Sequence, residues 1–313
     1  MTESSESHGV LVVDKCSGPT SHDIVGVARR ALGTREIGHT GTLDPMATGV
    51  LVLVVGEATK LVNALTASSK SYDATIKLGS STSTLDALGQ PDGSAPVPAF
   101  THAEVAQLAA RFLGEIEQRA PVVSAIKVDG KSLYKRARKG EQFEAPLRRV
   151  RLDAIQIDAV RADEIDLSLS CGSGFYVRAL ARDLAQSLST LGHLTRLRRT
   201  RNGAYELARA VTFDELRAAR EDGVLRAQVR SMLVPLATVC RGLPHVTLDE
   251  VGVLHARHGR AIPADHVSAT GGASAPSAQP AGTLVAFDGA GAPVALVEPS
   301  VDGLRVVRGF RAL

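Results

Sequence analysis

The segment GHTGTLDPMATG at residues 38–49 runs without a break into VLVLVV at 50–55. Such an apolar run reads as a buried strand. The loop feeding it is polar and punctuated by glycines, which permit positive φ and close approach of backbone to a ligand. Polar groups delivered straight onto a buried strand need a reason to be there. Asp44 precedes Pro45, which biases it toward turn or extended geometry. Two readings fit these residues. One is an Asx turn held by structural glycines. The other is a carboxylate presented to a cleft as nucleophile or acid–base group.

Around that loop the pattern mixes strands and helices without strict βαβ alternation, which predicts an α+β fold with a mixed or antiparallel sheet. Strands are expected at 9–13, at 72–78 and over 155–170 as a pair. Ser21 is read as the cap of a helix to Leu32, and the apolar stripe Val177, Leu180, Ala181, Leu184, Leu188, Leu191 marks a helix over 176–191. Thr101/Glu104, Thr212/Glu215 and Thr247/Glu250 are spaced as capping boxes, and 246–258 reads as a helix. Residues 1–8 read as a disordered tail and 267–282, VSATGGASAPSAQPAG, as a flexible loop. A boundary near 235–243 separates a main domain, 9–235, from a small β module, 243–313.

With 313 residues, 44% of them hydrophobic, the chain can bury a large core and is neither fibrous nor disordered. No run approaches the roughly 18 apolar residues of a membrane span, and the N-terminus lacks a signal-peptide pattern. Cys16, Cys171 and Cys240 are scattered and odd in number, which fits a reducing cytoplasm. HExxH, clustered Cys/His, the P-loop and GxGxxG are all missing from the sequence, so no metal and no nucleotide cofactor is expected.

The formal charge of +3 conceals an uneven distribution. Residues 127–149 hold eight Lys/Arg against three acids, net +5, and 193–209 are net +4, leaving the rest of the chain at −6. Local basic patches mark a polyanion partner, although ordinary solvated faces carry such runs too.

Several motifs extend this picture in order. GHTGTLDPMATGVL is followed by GEATK at 56–60, KSY at 70–72 with Leu78-Gly79, SAIK at 124–127 with Gly130-Lys131, GFYVR at 174–178 and LRR at 197–199. The set resembles the TruB family of tRNA pseudouridine synthases, of the bacterial and actinobacterial type, over about residues 9–210. The tail resembles, more loosely, the PUA-like module ending many members. Local departures stand at Cys16, Ser83, Ala120, Val123 and Phe175. The resemblance implies a pseudouridine synthase catalytic domain at 9–235, a thumb-like RNA-binding insertion at 121–149 and a PUA-like domain at 243–313. It implies isomerisation of uridine 55 in the T-loop of tRNA by a monomer without cofactor or metal, Asp44 being essential.

Arg178 would pair with Asp44 and keep it ionised. Tyr72 would stack on the flipped uracil and assist removal of the C5 proton, and Tyr176 and Leu197 would line the pocket. His39 would fill the space the flipped nucleotide leaves. Lys60, Lys131, Lys135 and Arg136 would meet the RNA backbone. Asp86 is read as structural. The competing reading is a tRNA-folding chaperone that binds RNA without required catalysis.

Overall fold

The computed structural model describes residues 8–122, 127–128, 131–132, 145–271 and 282–311. Lys135 and Arg136, most of the 121–149 insertion, and 272–281 of the expected loop lie outside the described residues, as does the side chain of Lys131.

In chain order the elements are β1 (Gly9–Lys15), α1 (Ser21–Leu32), β2 (Ile37–His39), β3 (Thr48–Val55), a 3-10 turn (Gly56–Leu61), α2 (Val62–Thr66) and β4 (Lys70–Leu78). There follow β5 (Ser80–Thr82), β6 (Pro91–Ser94), α3 (His102–Ala110), β7 (Gly114–Arg119), β8 (Lys127–Val128), β9 (Lys131–Ser132), β10 (Leu147–Val160), β11 (Glu164–Cys171), α4 (Val177–Ser187) and β12 (Gly192–Asn202). The chain continues through β13 (Tyr205–Glu206), β14 (Val211–Thr212), α5 (Phe213–Ala218), α6 (Gly223–Ser231), β15 (Val234–Pro235) and α7 (Leu236–Arg241). It ends with β16 (His245–Leu248), α8 (Glu250–Arg257), β17 (Ile262–Pro263), β18 (Val267–Gly271), β19 (Leu284–Phe287), β20 (Pro293–Ser300) and β21 (Gly303–Gly309). Parallel pairs (β1 with β14, β16 with β19) sit among mostly antiparallel ones, an α+β fold.

Local corrections have local causes. The cap of α1 is Thr20, whose side chain and that of Asp23 close a capping box. The Ser21 hydroxyl instead bonds the backbone of Leu43, accepting from its N–H at 2.8 Å. Residues 246–248 are strand, because Val246 and Leu248 alternate into a sheet, and the helix after them is capped by Asp249. Residues 267–271, expected to lie in a flexible loop, are instead a strand that pairs with β16.

Two compact units emerge. The first joins residues up to 43, 50–68 and everything from 205 on. Here β1 lies beside β3, β2 pairs with β3, and one core gathers Val10, Val12, Val50, Val52 and Val54 with Leu236 and Cys240. Val285, Phe287 and Leu296 of the C-terminal sheet enter that same core, so the sheet of β16–β21 does not close on itself alone. Its other face, Ala286, Ala295 and Val297, packs with Ala256 of α8. The period-2 alternation of β19 and β20 supplies both faces.

The second unit holds 44–49 and 69–204. Its sheet runs β12-β4-β11-β10-β7, and Thr48 and Gly49 pair in parallel with Arg198 and Arg199 of β12. Gly49 is required at that join: φ is +99° and a Cβ would stand 2.2 Å from the Arg199 carbonyl oxygen.

Candidate active site

The loop before β3 turns tightly at the Asp-Pro step. The Ala47 N–H donates to the Asp44 carbonyl at 3.0 Å, a β-turn with Asp first and Pro second. That turn presents the Asp44 carboxylate to Arg178 in the first turn of α4. The guanidinium holds it by an ion pair with one hydrogen bond: Nη2 donates to Oδ1 at 3.1 Å, while Nε stands 2.8 Å from Oδ2 without a hydrogen-bonding angle. The Arg178 side chain is 5% exposed and that of Asp44 31%. The cation is therefore fixed inside the protein, while one side of the carboxylate stays open. A buried guanidinium that hydrogen-bonds a carboxylate favours its ionised form.

Arg178 is shared. Its Nη1 donates to the Thr84 carbonyl at 2.7 Å and stands 3.6 Å from Oδ2 of Asp86. Asp86 is buried, and its Oδ1 accepts from the Thr84 hydroxyl and the Leu88 N–H. The loop that carries it holds Leu85 at φ +61°, backbone a leucine rarely adopts. The structural reading of Asp86 thus gains a second part: it is another carboxylate on the same guanidinium.

Tyr72 lies on β4 between Leu169 of β11 and Arg199 of β12. It is buried, and burial raises its phenol pKa more than the nearby Arg199, which hydrogen-bonds it, lowers it; the charge of Asp44 raises it as well. Asp44, Arg178, Tyr72 and Arg199 therefore act on one another in one place. Leu197 is buried on β12 opposite Ala74, and Tyr176 is the half-buried residue that opens α4.

Sequence reasoning missed Arg199. The basic stretch at 193–209 predicts a polyanion-facing patch or a solvated face, but Arg199 within it is 1% exposed. Arg201 donates to Ser71 and Ser170, and Arg198 to Thr48. The available signal was spacing, since Leu197 and Arg199 share one face of a strand. Burial, with Arg199 next in weight, lowers Lys70 to about 8, and burial pushes Cys171 up to about 12.

Lys60 is engaged elsewhere. Its ammonium donates to Glu57 at 2.5 Å and to the Gly309 carbonyl at 2.7 Å, and lies over the Phe310 ring. Glu57 is buried, which alone would raise its pKa, but Lys60 and the backbone and guanidinium N–H groups of Arg311 hold it at about 2. Lys60, expected to meet RNA, thus also ties the C-terminal segment to Glu57. His39 sits on β2, its Nδ1 accepting from the Gly41 N–H at 3.3 Å. Lys131 pairs through its backbone with Val128. Among the described residues, no group of three His, Cys, Asp or Glu could hold a metal ion, and no helix is long and apolar enough to cross a membrane.

Comparison with known proteins adds to this geometry. The family model of the TruB family pseudouridylate synthase N-terminal domain matches residues 29–177. That of the tRNA pseudouridylate synthase B C-terminal domain matches 178–240. Among curated relatives, tRNA pseudouridine synthase B of Mycobacterium sp. (strain KMS) is 43% identical over 86% of this chain and 89% of its own. The protein of the same name from Xanthomonas campestris pv. campestris (strain B100) is 39% identical over 95% and 91%. Among solved structures, a chain of a Cbf5-Nop10-Gar1 complex superposes with TM-score 0.72 at 24% identity, covering 96% of this chain and 84% of that one, a likeness of fold.

Proposed function

The chain belongs to the TruB family of pseudouridylate synthases, and we propose that it isomerises uridine 55 in the T-loop of tRNA to pseudouridine, with Asp44 as the essential group. The observation that carries the assignment of Asp44 is its ion pair and hydrogen bond with Arg178: a buried cation orients a carboxylate whose other side remains accessible.

The reaction needs the target base outside its stack, because neither C1′ nor C5 can be reached within it. The glycosidic C1′–N1 bond then breaks, the uracil rotates, and C5 bonds to C1′. The C5 proton leaves and N1 is protonated, so atoms and electrons balance without an external oxidant or reductant. The Asp44 carboxylate starts this sequence either by attack on the nucleotide or by taking the C2′ proton, and an oriented, ionised carboxylate serves both routes. Tyr72 keeps its phenolic proton at neutral pH, which suits a stacking face and hydrogen-bond donor. Stacking of this kind is worth about 1–3 kcal/mol per base.

Tyr176 and Leu197 complete the apolar wall. His39 occupies the gap in the T-loop, and Lys131, Lys135 and Arg136 meet backbone phosphates. The C-terminal sheet acts as a PUA-like module, and the enzyme works as a cytoplasmic monomer. Asp44→Asn tests the central claim. Tritium release from tRNA carrying 5-tritiated uridine is expected to vanish while tRNA binding persists. Normal turnover by this variant would overturn the assignment, and complementation of a deletion strain by it would favour the chaperone reading.

A further inference from the structure

Strand β7 places one amide side chain where an apolar one is expected. Along Gly114–Arg119 the chain is exposed or half-buried except at Gln118, which is 2% exposed. A buried primary amide must satisfy both its oxygen and its nitrogen. Both go to one residue 58 positions away: Oε1 accepts from the Tyr176 N–H at 2.8 Å, and Nε2 donates to the Tyr176 carbonyl at 3.1 Å. The side chain thus pairs with a peptide as a neighbouring strand would.

That residue is the N-cap of α4. Tyr176 has extended backbone, φ −111° and ψ 109°, and α4 has no side-chain cap of its own. The loop entering it contains Gly172 and Gly174, the latter at φ +83°. Gln118 holds the start of the helix from outside this loop, and Arg182 of α4 adds a bond to the Arg119 carbonyl at 3.1 Å. Two residues after Tyr176 stands Arg178, whose ion pair and Nη2 hydrogen bond set the orientation of Asp44.

We propose that Gln118 is a positioning residue for the isomerisation: its amide locks the Tyr176 backbone, and through the first turn of α4 it holds Arg178 in register with Asp44. The proposal rests on Asp44 being the reacting group. A misplacement of about 1 Å at a reacting group can cost up to about 100-fold in rate. Gln118→Ala, assayed as the full chain on tRNA at a temperature where it is folded, is expected to lose roughly 10- to 100-fold in kcat. Its KM and tRNA affinity should stay within about two-fold, because the amide bonds the Tyr176 main chain and none of the groups proposed to meet the RNA backbone.

Gln118→Glu gives a readout that a merely structural role would not move. Protonated, its carboxyl can still donate to the Tyr176 carbonyl; ionised, it sets a negative oxygen against that carbonyl. Its kcat relative to the parent is therefore expected to fall as pH rises. The proposal is overturned if both variants keep parental kcat, if the loss lies in KM alone, or if Gln118→Glu shows a pH-independent ratio. It is equally overturned if neither variant folds, since the role is then structural. Asp44→Asn run beside them separates the two claims: an active Asp44→Asn sinks the reading of the site, whereas an inactive one with unaffected Gln118 variants sinks only this inference.

Discussion

Arg199 and Lys70 are strand cations that the fold buries, at 1% and 6% exposure. A buried cation is costly unless partnered, and here the Tyr72 phenol is one of the groups that receives Arg199. The motif around Asp44 was legible because loop, turn and strand chemistry are local, and the observed Asp-Pro turn is what that local chemistry implies. Arg199, Gln118 and the approach of Asp86 to Arg178 were not, because each is defined by a partner far away in sequence. Lys70 offers a test of this buried charge. Burial and Arg199 lower it from 10.5 to about 8. Between those values the unfolded chain holds a proton that the folded chain lacks, so stability should rise with pH across this window, by at most about 1.4 kcal/mol per pH unit. Lys70→Met should lack the rise. Parallel urea midpoints for parent and variant through pH 8 to 10.5 would refute the assigned shift.

Elements followed the sequence where one short-range rule governed them. Thr101 and Thr212 each close a capping box with the glutamate three residues on, as their spacing predicts. Thr247 has the same spacing yet lies in β16, because Val246 and Leu248 bury into the C-terminal sheet and Asp249 takes over the cap. Tertiary pairing outranked the local signal there. Thr101→Ala should therefore cost about 1 kcal/mol, the ordinary worth of an N-cap. Asp249→Ala should cost a similar amount, whereas Thr247→Ala has no cap to lose. Urea denaturation of the three variants decides it, and a Thr247→Ala loss equal to the Thr101→Ala loss would contradict the assignment. The helix α4 shows the converse case. Its apolar stripe predicted the element, but its start is set by an amide on β7, which no pattern within residues 176–191 encodes.

At the scale of the molecule, the two basic stretches part company. The stretch at 193–209 is largely spoken for: Arg199 is buried, and Arg198 and Arg201 donate to Thr48, Ser71 and Ser170. Lys60 is likewise tied to Glu57 and the Gly309 carbonyl. The tie to Gly309 could not be read from residue order, because the C-terminal sheet shares its core with β1 and β3 across more than two hundred residues of chain. The proposed phosphate contacts therefore concentrate in the 127–149 stretch. Counterion release makes the count measurable, since the logarithm of affinity falls with the logarithm of salt by roughly 0.7–0.9 for each phosphate neutralised. Lys135→Ala should weaken tRNA binding and flatten that slope by about one such increment, with turnover at saturating tRNA little changed. Lys60→Ala should leave the slope unchanged and lower thermal stability, because it opens the clamp on Glu57. A Lys60→Ala slope that flattens as much as that of Lys135→Ala would return Lys60 to the RNA-binding face, and a salt-independent affinity would remove the electrostatic reading altogether.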